Sequence, residues 1–147
     1  MIVTDGLSAS PTSGALKDGV HVLPLRVYWE DTDAAGIVYY ANYLKFIERG
    51  RSDMLRMVGI DQWRMKGEEG VNFVVRRCEV DYQQPAKLDD EIEVETRVET
   101  LRGASLDMCQ TVRRHGEDLV KAMIRVACVD AAGKPVRLPP AIRAALV

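Results

Sequence analysis

The feature that most constrains this chain is a change of hydrophobic period near residue 70. Upstream of it, Tyr40, Tyr43, Leu44, Ile47, Met54, Leu55 and Val58 recur at helical spacing. Downstream, the period falls to two. Ile92, Val94, Thr96 and Val98 alternate with Glu91, Glu93, Glu95, Arg97 and Glu99. Successive side chains of a strand point to opposite faces, so this run reads as a strand with one buried and one charged face. Leu106, Met108, Gln110 and Val112 repeat the pattern, and Val120, Ala122, Ile124, Val126 and Cys128 supply another apolar face. Residues 73–82 predict a less regular strand, and residues 22–29 a first strand ahead of the helix. Arg102-Gly103, residues 115–118 and residues 130–133 carry turn chemistry. Pro139-Pro140 closes the sheet, and residues 141–147 suit a short terminal helix.

The helical run ends at Gly59, which suits a left-handed cap. About 18 residues at 1.5 Å each make a helix of about 27 Å, and ten-residue strands reach about 34 Å. The helix can lie along the sheet. The expected class is α+β: one long helix against a five-stranded antiparallel sheet, the last four strands forming a meander. Five strands span roughly 20 Å or more, whereas one helix covers about 10 Å. Apolar sheet surface is left over, which predicts a homo-oligomer, a dimer at the least. The 147 residues suit one domain. Residues 1–20, rich in Ser, Gly, Thr and Ala, read as a mobile arm, and residues 21–147 as the domain.

Several function classes are disfavoured. A net charge of -2 does not suit a nucleic-acid surface. The adjacent pairs Arg76-Arg77 and Arg113-Arg114 lie in predicted strands and so point to opposite faces. The three cysteines, Cys78, Cys109 and Cys128, fit neither a disulfide framework nor a zinc site and read as reduced packing residues. No run approaches the ~20 apolar residues of a membrane span. The opening MIVTDGLSAS lacks the pattern of an export signal, so the expected location is cytoplasmic. His21 and His115, the only histidines, read as exposed and offer no metal signature. Ser52 lacks the context of a hydrolase nucleophile. Glu48 and Asp53 read as surface ion-pairing groups beside Arg49, Arg51 and Arg56, and Trp29 and Trp63 as packing residues.

The densest polar cluster is Glu30, Asp31, Thr32 and Asp33, followed by Gly36 and the helix. Asp and Thr favour caps and turns, so one reading is purely structural. The other is chemical. Gly36 permits close approach of backbone to a ligand. The free N–H groups of a helix start favour developing negative charge. A carboxylate beside them supplies what acyl transfer needs: one group to attack or activate water, another to hold the oxyanion.

The segment from Tyr28 to Tyr43, YWEDTDAAGIVYYANY, resembles the signature of the 4-hydroxybenzoyl-CoA thioesterase-like hotdog family. Within that family it is most similar to the tol-pal system-associated acyl-CoA thioesterases. The likeness continues through YLKFIERGRSDMLR and the later strands, about Leu23 to Pro140. It implies a long helix wrapped by a curved antiparallel sheet, with subunits paired sheet to sheet as a homodimer or homotetramer. It implies Asp33 as the catalytic carboxylate and the backbone N–H of Tyr40 as the donor that polarises the thioester carbonyl. Gly36 occupies the loop glycine, and Val38 falls with it among the substrate-binding positions. Arg102, Gly103 and Ser105 fall where the family's CoA moiety lies, near a subunit interface. At Tyr40 the tol-pal branch commonly carries His and the hydroxybenzoyl branch Tyr, so aromatic and aliphatic acyl groups both remain candidates.

The function so implied is hydrolysis of an acyl-CoA thioester to free acid and CoA, with no metal or redox cofactor. The alternative is a module that binds acyl-CoA or acyl carrier protein without turnover, against which a retained Asp33 speaks. A hotdog dehydratase would need a histidine in this motif, and none is present.

Overall fold

The computed structural model describes Pro11 and residues 13–147. Six strands, β1 (Ala15–Lys17), β2 (Val20–Arg26), β3 (Val71–Tyr82), β4 (Glu91–Leu101), β5 (Ser105–Arg114) and β6 (Glu117–Asp130), form one sheet. The spatial order is β1-β2-β4-β5-β6-β3, with every pairing antiparallel. The helix α1 (Tyr43–Met57) is entered through a 3-10 turn at Tyr40–Asn42. It is followed by the short α2 (Gln62–Arg64), a wider helical turn at Met65–Glu69 and, at the far end, α3 (Pro140–Ala145). Gly59 takes φ +88 just past α1, as a left-handed cap requires.

The α+β class and the single long helix on an antiparallel sheet are as the periodicities predict. Two features of the sheet are not. It has six strands rather than five, because part of the expected arm pairs with β2 through a turn at Asp18-Gly19. Both turn residues have positive φ, +51 and +77, as a two-residue hairpin turn demands, and Asp-Gly is a strong signal for it. The rest of the expected arm, residues 1–10 and 12, lies outside the described residues. The meander is also incomplete. β4, β5 and β6 follow one another, but β3 crosses to the far edge and pairs with β6.

The inner face of the sheet packs on α1. Ile92, Val94, Leu106, Met108, Val112 and Ile124 meet Phe46, Ile47 and Met54 in one buried cluster. The approach is closest at Gly50, where a Cβ would lie 2.7 Å from Val94 Cγ1 and 3.0 Å from Thr96 Oγ1. Buried Gln110 fills the gap below: its Nε2 donates to the Ile47 carbonyl (2.7 Å) and to Thr96 Oγ1 (2.8 Å). Its Oε1 accepts from Arg51 Nη1 at 3.1 Å.

Four side-chain expectations fail. His21 is fully buried, and its Nε2 lies 2.7 Å from Asp53 Oδ2. Asp53, expected as a surface ion-pairing group, is buried on the sheet-facing side of α1 and also accepts the Gly14 N–H at 2.8 Å. The cause is strand alternation: His21 shares the inward face of β2 with Leu23 and Leu25, opposite Thr96. Cys78 is exposed rather than packed, because the inner face of β3 runs beyond the helix. Trp29 and Trp63 are 78% and 82% exposed, so neither is a packing residue in this chain.

Replacing Asp53 by Ala would strand the His21 ring and the Gly14 N–H in a dry site. We expect Asp53→Ala to lower unfolding stability by about 2–4 kcal/mol, read from urea denaturation. A loss below experimental error would mean that the buried contact carries no weight.

Candidate active site

The loop between β2 and α1 is organised by Asp31. Its Oδ2 accepts the Tyr28 N–H at 2.8 Å, and its Oδ1 accepts from Asn42 Nδ2 at 2.9 Å. Its carbonyl accepts the Tyr39 N–H at 3.0 Å. Asp31 and Asn42 are both buried. One carboxylate therefore ties the start of the loop to the start of the helix.

Within that frame the chain reverses tightly. Thr32 bridges Val38, the Asp33 N–H donates to the Ile37 carbonyl (2.9 Å), and the Gly36 N–H donates to the Asp33 carbonyl (3.0 Å). Gly36 sits at φ +79, a conformation in which a Cβ would be strained. The side chain of Asp33 is exposed. Its Oδ1 accepts the Ala35 N–H at 2.8 Å, while Oδ2 has no partner among the described residues. The turn role and a chemical role thus fall on different oxygens of one carboxylate. A depression of about 360 Å³ opens here, lined by Trp29, Thr32, Asp33, Ala34, Gly36 and Leu88.

Tyr40 opens the 3-10 turn that runs into α1, so its N–H is among those without an intrahelical partner. Its side chain is exposed and meets the Tyr82 ring edge-on at 6.2 Å. The Tyr82 hydroxyl donates to the Tyr40 carbonyl at 2.9 Å, fastening the helix start to the end of β3. Behind it, the Tyr43 hydroxyl accepts the Ala86 N–H at 2.9 Å. Burial pushes the Tyr43 phenol up, so it stays neutral in this role. The Val38 N–H donates to the Ala86 carbonyl at 2.9 Å, which docks the loop before β4 onto the site. Among the described residues, no group of three or more His, Cys, Asp or Glu is arranged to hold a metal ion.

A family model described as "Thioesterase-like superfamily" matches residues 27–146. The chain belongs to the thioesterase-like superfamily. It is 45% identical over 131 residues to a Haemophilus influenzae protein named acyl-CoA thioesterase YbgC, covering 88% of this chain and 96% of that one. A crystal structure described as a probable thioesterase from Bartonella henselae superposes with a TM-score of 0.79 at 41% identity, over 82% of this chain and 99% of that one. A mutant 4-hydroxybenzoyl-CoA thioesterase bound to 4-hydroxybenzoyl-CoA superposes with a TM-score of 0.83 over 88% of this chain and 99% of that one. At 19% identity it speaks for the hotdog fold alone.

The thioesterase-like fold brings together some of the sequence candidates and separates others. Asp33 and Gly36 border one depression, and Tyr40 stands at the helix start. Val38 is different: its side chain is buried, and its backbone bridges Thr32. Arg102 and Gly103 lie in the turn between β4 and β5, and Ser105 opens β5. The loop carrying Asp33 docks at the other end of β4, where the Val27 N–H donates to the Asp90 carbonyl. The eleven residues of β4 hold the two ends roughly 35 Å apart. Ser105 is buried, and its carbonyl accepts the Arg102 N–H at 2.8 Å. Arg102 Nη2 lies 2.8 Å from Asp107, whose carboxyl Arg125 and Arg102 hold well below the usual range.

The pattern of residue types hid three contributors: Asp31 and Asn42, which fix the loop, and Tyr82, which fixes the helix start. We expect Asp31→Ala to lose about 1–3 kcal/mol of stability, because the buried Asn42 amide and the partly buried Tyr28 N–H lose their acceptor. Asp31→Asn should be tolerated, since the Asn42 amide can turn to present its oxygen to the new donor. Thermal unfolding of both variants checks this; equal losses would sink the account.

Proposed function

We propose that this chain is an acyl-CoA thioesterase and that Asp33 is its catalytic carboxylate. The observation that carries the reading is Asp33 itself: an exposed carboxylate on a rigid turn, one oxygen unengaged, bordering a depression next to a helix start. Membership of the thioesterase-like superfamily and relatives named acyl-CoA thioesterases support it.

Two routes use the same group. In one, Asp33 attacks the thioester carbon, the C–S bond breaks, CoA leaves as its thiolate, and water cleaves the resulting mixed anhydride. In the other, Asp33 takes a proton from water as that water attacks, and collapse of the tetrahedral adduct breaks the C–S bond and releases CoA as its thiolate. In both, the negative charge that develops on the carbonyl oxygen is met by the Tyr40 N–H. Gly36 lets the substrate approach the backbone. Nothing in either route requires a metal or redox cofactor. Acyl-CoA as substrate suits an enzyme acting in the cytoplasm. Among the described residues no helix is long and apolar enough to cross a membrane.

The proposed assembly is a homodimer, extended to a homotetramer by further face-to-face contact. Six strands span about 24 Å, and α1 leaves much of β3 uncovered. β3 is a twelve-residue edge strand with Val74 and Val75 exposed, a surface that soluble monomers blunt or cover. Assembly also reconciles the distant β4–β5 turn with its family role: Arg102 and Gly103 would reach the CoA moiety bound at the partner's Asp33.

Two measurements test this reading. Asp33→Asn should lower kcat for thiol release from acyl-CoA by roughly 100-fold or more, with fold and assembly unchanged; near-normal kcat would remove Asp33 from the chemistry. Light scattering at micromolar concentration should find a dimer or tetramer, and Val75→Lys should shift it towards monomer; a stable wild-type monomer would end the assembly model.

A further inference from the structure

Trp29 is not accounted for by the fold. Its indole is 78% exposed, although few side chains offer more apolar surface to bury. Its backbone is nonetheless held firmly. The Trp29 carbonyl accepts both the Thr32 N–H (3.2 Å) and the Thr32 hydroxyl (2.9 Å). It begins the 3-10 turn Trp29–Asp31, which ends in the buried Asp31. A bare indole is thus carried on a rigid turn, on the wall of the depression that holds Asp33 and Gly36. Trp63 provides the contrast. It is equally bare, but Lys66 Nζ lies over its ring at 5.9 Å, and the hollow it borders is made by Ser52, Arg56 and residues 59–62.

We propose that Trp29 is a substrate-binding residue whose indole packs against the apolar segment adjoining the thioester carbonyl. This rests on the reading of Asp33 as the catalytic carboxylate. A carbonyl placed at Asp33 has apolar neighbours on both sides: the first carbons of the acyl group and the thioethyl arm of CoA. The flat indole face receives either by dispersion and burial, without asking for a hydrogen bond. Packed there, it holds that segment against the wall of the depression equally in the bound substrate and in the transition state, which is binding that sets KM and leaves kcat alone. The adenine of CoA lies at the far end of the cofactor and is not the group received.

The experiment uses fluorescence. Only two tryptophans are present, so Trp63→Phe leaves Trp29 as the sole indole. That protein is titrated with CoA and with a non-hydrolysable S-alkyl thioether of CoA, with saturation established by calorimetry. The Trp29 emission should shift and quench with the thioether. A response to CoA alone as well assigns the contact to the thioethyl arm; a response to the thioether only assigns it to the acyl side. In steady-state thiol release, Trp29→Ala should raise KM about tenfold with kcat little changed. Trp29→Phe should recover most of the loss, because an aromatic face remains.

The proposal is overturned if the ligands saturate the protein without altering Trp29 emission, or if Trp29→Ala leaves KM unchanged. It is overturned too if the emission responds to protein dilution and not to ligand, since the indole then belongs to a subunit contact. Activity surviving in Asp33→Asn would sink the Asp33 reading while leaving the emission response standing, so the two failures are distinguishable.

Discussion

The close approach of α1 to the sheet at Gly50 is the contact on which the rest of the molecule depends. A Cβ there would collide with Val94 and crowd Thr96, so the helix can lie this low only over glycine. The low approach brings the Ile47 carbonyl within reach of Gln110, whose amide would otherwise be an unsatisfied polar group in a dry core. Gln110 then holds Arg51 by its remaining oxygen. Depth and register of the helix are therefore set together, by one absent side chain and one fully bonded amide. The His21–Asp53 contact on the next inward turn locks the same helix to β2.

Where α1 lies decides where chemistry can occur. Its contacts run over β2, β4 and β5, leaving Val75 and Cys78 on the inner face of β3 exposed. Its first turn emerges beside the end of β3, where Tyr82 grips the Tyr40 carbonyl. The loop from β2 must reach that same point, and Asp31 bonded to Asn42 closes the circuit. The result is a helix start, a rigid turn and an open apolar face at one corner of the protomer. The proposed thioesterase reading places its chemistry at that corner.

Much of this was legible in the sequence, and the failures have physical reasons. Strand alternation in residues 91–99 and helical spacing in residues 40–58 are local signals; the strand forms over Glu91–Leu101, and the helix over Tyr43–Met57, shorter than the spacing predicts because Tyr40–Asn42 is a 3-10 turn. Pairing order is not local. Nothing in the alternation of β3 tells whether its neighbour is β4 or β6, so the meander was the shortest connection rather than the right one. The Asp18-Gly19 hairpin lies in a stretch whose Ser, Gly, Thr and Ala composition points to an arm. At His21 and Asp53 residue type misleads and position decides: His21 shares a face with Leu23 and Leu25, and Asp53 continues the Phe46–Gly50 stripe at helical spacing. The arginine-glycine turn at residues 102–103 was a family expectation, and the length of β4 removes it from Asp33 within one protomer.

Asp31 and Asp33 show why the site itself could only be half read. They are the same residue type, two positions apart in one polar run, and propensity treats them alike. The fold separates them by orientation. Asp31 points inward, where both carboxylate oxygens are taken by donors, and there it can serve only as a fastener. Asp33 lies beyond the bridge between Thr32 and Val38, on the turn that Gly36 permits, and points outward with one oxygen held and one unengaged. The fastener is what makes the outward carboxylate useful. An exposed aspartate on a mobile loop would spend most of its time away from a bound carbonyl, whereas one on a turn pinned at both ends carries its orientation with it. In the proposed mechanism the buried carboxylate supplies the rigidity and the exposed one the reactivity. Choosing between them requires knowing which way the chain faces at each position.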